Sequence, residues 1–295
     1  MGTAPLPRRT VRTPGAWRNS KALRRFLANR LAVFGAVILL AFGLLALLAP
    51  VISPYDPAQA SFTDLRSAPS AQHYFGTDEL GRDTLARVLY GARISLSAGL
   101  VSVALAMVSG TFFGLIAGYF RGWPDELIMR VVDAMLALPF LVLAITLAAI
   151  LGPSLQNTML AIAIVTAPAF ARVARGEVLA QREREYVQAA QALGASNSRT
   201  VLRHLLPNIS GPLIVQTSLA IANAVLAESS LSFLGLGVQP PTPSWGSMLN
   251  TARGYLADAP WMAIFPGVAI FLTVLAFNLV GDGLREAFDP RARRS

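Results

Sequence analysis

The chain has 295 residues, of which 54% are hydrophobic and only 14% are charged. A soluble domain of this length could not bury so much apolar surface, so the composition excludes a soluble protein and indicates an all-α membrane protein. The net charge is +9, carried almost wholly by arginine, and the sequence contains no cysteine. The missing cysteines exclude a disulfide framework, a thiolate metal site and a cysteine nucleophile.

Six stretches are apolar and long enough, at roughly 20 residues, to cross about 30 Å of hydrocarbon. They lie near residues 31–52, 94–119, 131–152, 157–174, 211–228 and 262–281. Pro139, Pro153 and Pro168 are expected to bend or break the third and fourth stretches, because proline removes a helical hydrogen bond. We therefore predict a polytopic protein with six transmembrane helices.

Charge predicts the orientation of these spans. Residues 1–30 carry eight basic side chains and no acid, which makes them a cytoplasmic basic tail by the positive-inside rule. The tail would also suit binding to anionic lipid, although a role as a topology signal explains its basic residues equally well. The apolar run that follows is long enough to span, unlike that of a cleavable signal peptide. Six crossings return the basic residues 286–295 to the cytoplasmic side.

An external segment, residues 53–93, is predicted after the first span, and its five acidic residues suit the outside. Thr77 or Asp78 is expected to cap a helix that continues into the second span. The simplest role of the neighbouring charges is a set of surface ion pairs that fix the start of this helix, and contact with a solute is the alternative. His73 is too isolated to be predicted as a metal ligand.

The second and third spans carry two local signals. Gly110, Gly114 and Gly118 recur every four residues, which predicts close packing against another helix. No G-K-[ST] follows these glycines, so they do not indicate a nucleotide site. Asp133, near one end of the third span, is predicted to be an interfacial or gating residue.

The elbow, residues 182–207, is the longest polar interruption in the second half of the chain, and it lies inside a predicted cytoplasmic loop, residues 175–210. Four residues at helical spacing give its first helix a small apolar face: Tyr186, Ala189, Ala190 and Leu193. This face suits docking into a groove of another protein, and an ordinary helical hairpin is the alternative.

Turn chemistry divides the elbow into a helix, a break and a second helix. Gly194 supplies the left-handed position that ends the first helix. Ser196 or Asn197 is expected to cap the second helix. Pro207 is expected to break that helix before the next apolar span.

The elbow resembles the EAA loop of ABC-importer permeases, which reads E-A-A, three residues, G, nine residues, I-x-L-P. The matching positions are Gln188, Ala189, Ala190, Gly194, His204, Leu206 and Pro207. Gln188 replaces the usual Glu, and His204 replaces the usual Ile. The resemblance implies a type I ABC-importer permease fold in which this loop couples to a separate ATPase.

Two further motifs resemble the C-type subunit of dipeptide, oligopeptide and nickel importers. The string GTDELGRD supplies Gly76, Thr77, Asp78, Gly81, Arg82 and Asp83. The last span ends in a second similar string, which contains Asn278 and Asp282. These two residues are interpreted as helix caps, and pairing with Arg285 or a place near an inner gate is the alternative.

The fifth span is predicted to end at Glu228, and a proline-rich external loop follows it. Trp245 and Trp261 are expected at the membrane interface, where indole rings prefer to lie. Contact with a solute-delivering protein is the alternative for this loop.

The resemblance implies a non-catalytic permease subunit of an ATP-driven importer of di- or oligopeptides, or a related solute such as nickel. Lys21 is the only lysine, so a Walker A loop is excluded, and neither a cofactor nor a metal is expected on this chain. ATP and Mg would bind partner ATPases. The other implied partners are a second permease, two ATPase subunits or domains, an extracytoplasmic solute-binding protein and membrane lipid, without nucleic acid. The implied location is the cytoplasmic (inner) membrane of a bacterium or archaeon.

Three other functions compete with that of a permease. A secondary transporter is expected to carry ionisable residues near the middle of spans, whereas here they cluster at span ends. A membrane-embedded enzyme is disfavoured because the HExxH and Gly-x-Gly-Asp motifs are missing. A regulatory or scaffold membrane protein is neither excluded nor suggested.

Overall fold

The computed structural model describes residues 23–288 and is nearly all helical. A helical turn at residues 23–28 precedes the first long helix. In chain order the helices are α1 (Arg30–Ile52), α2 (Thr84–Phe120), α3 (Trp123–Leu136), α4 (Phe140–Leu151), α5 (Leu155–Arg182), α6 (Glu185–Ala192), α7 (Asn197–Phe233), α8 (Trp245–Ala252) and α9 (Trp261–Phe288). Five of these, α1, α2, α5, α7 and α9, are long and apolar enough to cross a membrane, and α3 with α4 passes the same test only as a pair bent by 96°.

The predicted glycine stripe packs α2 directly against α5. A Cβ added at Gly114 would come within 2.5 Å of the Ala171 carbonyl oxygen, and one at Gly118 within 2.8 Å of the Val178 Cβ. A Cβ at Gly110 would likewise overlap the Ala167 carbonyl. Residue numbers increase together along both helices, so α2 and α5 run parallel. The packing prediction is confirmed.

The remaining long helices run antiparallel to their neighbours. Two contacts fix the direction of each pair, because residue numbers rise along one helix as they fall along the other. They are Gly99–Val225 and Met107–Thr217 for α2 and α7, Gly211–Phe288 and Leu219–Gly281 for α7 and α9, and Gly35–Leu279 and Ala32–Gly283 for α1 and α9. Because α2 and α5 are parallel, the chain must return between them, and only α3 and α4 are available to do so. The bent pair is therefore one broken crossing, and the number of crossings is six.

Both ends of the described chain lie on the same side of the bundle as the elbow. The Asn29 side-chain amide donates to the Glu286 carboxylate at 2.8 Å, which joins the start of α1 to the end of α9. On the same side, the Tyr119 hydroxyl donates to the Asn197 side chain at 2.8 Å and joins the end of α2 to the elbow.

The structure corrects two predictions about proline. Pro168 lies inside the continuous helix α5 and does not break it, because neighbouring helices bury and support the backbone at this point. Pro207 also lies inside a continuous helix, α7. The turn before it, Thr200–Leu205, is a π-helix, and Pro207 opens the regular α-helix that follows, where a missing N–H is tolerated. Pro139 and Pro153 do lie in the breaks before and after α4, as predicted.

Several predicted boundaries also move. α2 begins at Thr84, so the irregular connection after α1 spans residues 53–83 rather than 53–93. α7 extends to Phe233, five residues beyond the predicted end at Glu228. α5 and α7 both reach into the predicted 175–210 loop. Hydropathy marks only the apolar part of a helix, whereas packing continues the helix beyond it.

Candidate functional site

The turn of the elbow has the predicted backbone geometry. Gly194 adopts φ +80°, its N–H donates to the Gln191 carbonyl at 2.9 Å, and the Ala195 N–H donates to the Ala190 carbonyl at 3.0 Å. This pair of bonds is a Schellman motif, which ends α6. The Ser196 hydroxyl then accepts from the Arg199 N–H at 3.4 Å and caps α7, so Ser196 rather than Asn197 is the cap.

The base of the elbow is fixed to the end of α2. An Arg182 guanidinium N–H donates to the Tyr119 carbonyl at 2.6 Å, and the same guanidinium lies 5.6 Å from the centre of the Tyr119 ring. An exposed ion pair joins Arg121 to Glu183 at 2.6 Å. Val187 is the fully buried anchor of α6. The position of the elbow is therefore determined by the bundle.

The tip of the elbow exposes large apolar side chains. Leu193 is 88% exposed and Leu202 is 62% exposed. Among the residues matched to the EAA pattern, Gln188, Ala189, Gly194 and Pro207 are exposed, whereas Ala190, His204 and Leu206 are partly buried. Apolar surface on a fixed, protruding turn is typical of a protein interaction site. The structure thus brings the predicted elbow residues together on one accessible feature.

The GTDELGRD residues form a buried ion cluster at the opposite end of the bundle. The Asp78 carboxylate accepts from Arg82 Nε at 2.7 Å and lies 3.3 Å from Arg87 Nε. Arg82 also donates to Glu79 at 2.6 Å. Asp78, Arg82 and Arg87 are all buried, so the prediction of surface ion pairs is wrong. Met248 and Thr251 of α8 and Met262 of α9 lie over the cluster, which sequence spacing does not reveal.

The cap of α2 is Asp83, not the predicted Thr77 or Asp78. The Asp83 carboxylate accepts from the Ala86 N–H at 2.7 Å and contacts His73 Nδ1 at 2.9 Å. Thr77 is fully buried and instead joins two segments of the connection, since its hydroxyl accepts from the Ser67 N–H at 2.8 Å. The predicted cap is five or six residues too early, because the Thr77 side chain bonds across the connection and the Asp78 carboxylate binds Arg82.

Two glycines of the motif are required by the backbone. Gly81 has φ +74°, and a Cβ there would overlap the Ser61 carbonyl oxygen. Gly76 has φ +70°, and a Cβ there would lie 2.7 Å from the Trp261 Nε1 atom. Only glycine fits such positions without strain. At these two glycines the motif therefore builds a close-packed connection.

The surroundings of two carboxylates in the connection shift their pKa values in opposite directions. Burial raises the pKa of Glu79, and the neighbouring charge of Asp78 adds to the effect. Hydrogen bonds from the Ser61 and Thr63 hydroxyls lower the pKa of Asp64. Burial disfavours a carboxylate, whereas hydroxyl donors favour it.

The two tryptophans differ from their predicted interfacial role. Trp245 is fully buried, donates from Nε1 to the Val88 carbonyl at 3.0 Å and packs edge-on against Phe42 at 5.8 Å. Its role is to hold α8 against α2. Trp261 is partly buried and donates to the Thr77 carbonyl at 3.0 Å, which ties the start of α9 to the connection after α1.

The remaining predicted polar residues lie on helix surfaces. Asp133 accepts from Arg172 at 2.7 Å in an exposed ion pair between α3 and α5. Asn278 and Asp282 lie inside α9, so the prediction that they cap a helix is wrong. The Asn278 amide donates to the Val274 carbonyl at 2.9 Å within its own helix, and Asp282 is exposed.

Sequence reasoning missed a polar face on α7. Gln216, Asn223 and Ser230 face a groove of about 540 Å³ between α7, α5 and the α3–α4 bend. Their exact seven-residue spacing was visible in the sequence, since seven residues are two helical turns. Sequence reasoning also missed the burial of Glu228. This side chain is fully buried, and its carboxylate accepts from the Ser232 hydroxyl at 2.7 Å.

Six crossings, of which the third is broken, and an elbow outside them define a polytopic membrane subunit. Residues 110–294 match the family described as the binding-protein-dependent transport system inner membrane component. Residues 17–69 match the N-terminal transmembrane domain of oligopeptide transport permease C. The chain belongs to this family of permeases, so it is a multi-pass inner membrane subunit of an ABC importer. In such importers ATP hydrolysis belongs to separate ATPase subunits, and this chain is not itself catalytic.

Similar proteins cover almost the whole chain. The dipeptide transport system permease protein DppC of Alkalihalophilus pseudofirmus is 45% identical over 98% of this chain and 95% of its own length. The glutathione transport system permease protein GsiD of Pectobacterium atrosepticum is 45% identical over 99% of this chain and 97% of its own. GsiD of Escherichia coli is 45% identical over 96% and 92%.

The fold is similar to a solved importer. The inward-facing MetNI methionine ABC transporter matches with a TM-score of 0.56 and 19% identity, covering 68% of this chain and 96% of the transporter chain. At this identity the likeness shows the fold alone. It confirms the expected ABC-importer permease architecture.

Proposed function

We propose that this chain forms half of the path through which an ATP-driven importer carries short peptides, and that the elbow couples this path to the ATPases. The solute class is supported by the relatives, which are named for dipeptide and for glutathione, itself a small peptide. Nickel import is expected only from the motif resemblance.

The single observation that carries the coupling role is Leu193. Its side chain is 88% exposed at the tip of the elbow, although the base of the elbow is held by Arg182 and Tyr119. A large apolar side chain on a fixed protrusion is stabilised when a partner covers it. The partner at this position is an ATPase subunit, with ATP and Mg bound on that subunit.

The orientation follows from charge and from the shared side of the bundle. The basic tail, residues 1–30, belongs on the cytoplasmic side, and the start of α1 lies on the same side as the elbow. The elbow and both termini are therefore cytoplasmic. The connection after α1 and the loop before α9 then face a solute-binding protein outside, and a second permease completes the path.

ATP acts on the path through the elbow. Closure of two ATPases around ATP moves the elbows of the two permeases together and tips the spans between inward- and outward-facing states. Such a shift requires that ATP bind one state more tightly than the other.

The test is ATP-dependent uptake of radiolabelled alanyl-alanine by the complete importer in liposomes. Leu193→Glu is expected to abolish most uptake and to reduce co-purification of the ATPase, while insertion and the second permease are retained. Leu256→Glu is the matched control for co-purification of the ATPase, which it should leave unchanged, because Leu256 is also exposed but lies between α8 and α9, at the end of the bundle away from the elbow. Unchanged uptake by Leu193→Glu would contradict the coupling role.

A further inference from the structure

The exposed face of α7 differs from that of α1. After Arg30, α1 carries no side chain with a polar group, as expected of a helix that faces lipid. α7 instead places Gln216, Asn223 and Ser230 at intervals of seven residues. Seven residues complete nearly two turns, so the three side chains lie on one face of the helix.

This polar face is turned away from the packed core. Ala222 and Ala224, on either side of Asn223, are buried, whereas Asn223 is exposed. Among residues 23–288, the side-chain amides of Gln216 and Asn223 make no hydrogen bond. A bare amide in contact with lipid is strongly disfavoured, because hydrocarbon offers no hydrogen-bond partner. The face must therefore contact water, a solute or another protein.

The shape and chemistry of the groove favour a solute. Its volume of about 540 Å³ lies in the range of small-molecule sites, about 300–1,000 Å³. Thr166 of α5 adds a hydroxyl opposite the α7 face, and Phe140 and Leu141 form an apolar wall. All the polar groups that line the groove are neutral. Neutral amides and hydroxyls match the donors and acceptors of peptide bonds, not the charged ends of a peptide.

We infer that Thr166, Gln216, Asn223 and Ser230 form a hydrogen-bonding track that contacts the peptide bonds of the solute as it passes along this permease. The inference rests on the proposed function and names the side chains that line the path. Because the track contacts only the peptide bonds of the solute, it accepts peptides with different side chains. Selection among these peptides is left to other parts of the importer.

The first measurement is thiol accessibility, for which this chain is suited because it has no native cysteine. Asn223→Cys and the lipid-facing control Val37→Cys, which replaces a side chain 57% exposed on α1, are made in the complete importer in liposomes. A charged, water-soluble maleimide is expected to label the Asn223→Cys chain and not the Val37→Cys chain. Alanyl-alanine during turnover is expected to slow the labelling.

The second measurement is uptake of alanyl-alanine by Asn223→Leu, Asn223→Ser and Val37→Ala. Asn223→Leu is expected to raise KM about tenfold, the loss of roughly one hydrogen bond, without loss of assembly or ATP hydrolysis. Asn223→Ser restores part of the affinity because a hydroxyl can replace the amide, and Val37→Ala is unchanged.

The outcomes separate this inference from the proposed function. If the wild-type importer takes up no dipeptide, the proposed function fails, and so does the peptide-bond contact. If the wild type transports but Asn223→Cys is unlabelled or cross-links to the second permease, the face is a subunit contact and the track is overturned. Normal uptake kinetics in Asn223→Leu overturn it as well.

Discussion

The connection after α1 and the elbow lie at opposite ends of the bundle, and they use charged residues in opposite ways. In the connection, Asp78 binds Arg82 and Arg87 inside a buried cluster, and Gly81 is locked against the Ser61 carbonyl. In the elbow, the charged side chains after Arg182 are exposed, and the tip carries the exposed side chain of Leu193.

This difference separates a structural role from a binding role. The buried cluster pairs Asp78 with Arg82 and Arg87 inside the chain, so this part of the connection needs no partner to be stable. A segment that leaves apolar side chains in water has a reason to be covered by another protein. Both segments were found by their motifs, yet substitutions in the first should damage stability and substitutions in the second should damage transport.

The largest expected effect is that of Asp78→Ala. It leaves the buried guanidinium of Arg87 without its carboxylate and leaves Arg82 paired with Glu79 alone, and breaking such a buried pair costs about 3–5 kcal/mol. Thermal unfolding of the purified protein in detergent should show a large loss of stability. Asp258→Ala, which removes an exposed carboxylate before α9, is the control and should change stability little. Equal stability of both variants would show that the buried cluster is not structural.

Gly81→Ala and Gly194→Ala compare the two segments with the same substitution. Both glycines have positive φ, so each variant loses about 1–2 kcal/mol through backbone strain. Only at Gly81 does the new methyl group also overlap a carbonyl oxygen, which adds about 1–3 kcal/mol. Unfolding in detergent measures the difference, and equal losses would contradict the tight packing assigned to the connection.

Gly194→Asp tests whether the shape of the turn in the elbow is needed for transport. No atom lies within 4 Å of the position that a Cβ would occupy at Gly194, so only the turn is strained, by about 1–2 kcal/mol. We expect insertion and assembly to persist while dipeptide uptake falls several-fold, because the displaced turn misplaces Leu193. Ser198→Asp, an exposed site on the same elbow, controls for the added charge. Normal uptake by Gly194→Asp would mean that the shape of the turn is not needed for coupling.

The smallest expected effect concerns Glu79 and pH. Because burial raises the pKa of Glu79 above its ordinary value of 4.5, the folded protein binds this proton more tightly than the unfolded chain. Its contribution to stability is therefore present below pH 4.5 and is lost as pH rises through the raised value. Glu79→Gln should remove this shallow decline in unfolding temperature across the acidic range, whereas the exposed Glu185→Gln should leave it in place. A decline that persists in Glu79→Gln would assign it to another group.

Features set by a few neighbouring residues could be predicted from the sequence. Gly194 and Ser196 form their turn and cap through bonds that reach no more than five residues, and the glycine stripe of α2 needs only its spacing. The six apolar crossings follow from hydropathy, which requires no knowledge of packing.

Features set by distant contacts could not be predicted. Trp245 was expected at the membrane interface, but its partner Val88 is 157 residues away. Pro168 and Pro207 continue their helices because surrounding helices and a π-turn accommodate them. The burial of Asp78 depends on α9, and the face of α7 that opens on the groove depends on where α3 and α4 bend.

The glycine contacts between α2 and α5 have a mechanical consequence. Backbone packed on backbone has no long side chains to deform, so the two helices behave as one stiff rod. α5 ends in the elbow at Arg182 and carries Thr166 sixteen residues earlier, about 24 Å along the helix axis. In the proposed coupling, a push at the elbow would therefore move the wall of the groove, and the ion pairs of Asp125 and Asp133 with α5 would carry this movement to the bent α3–α4 pair.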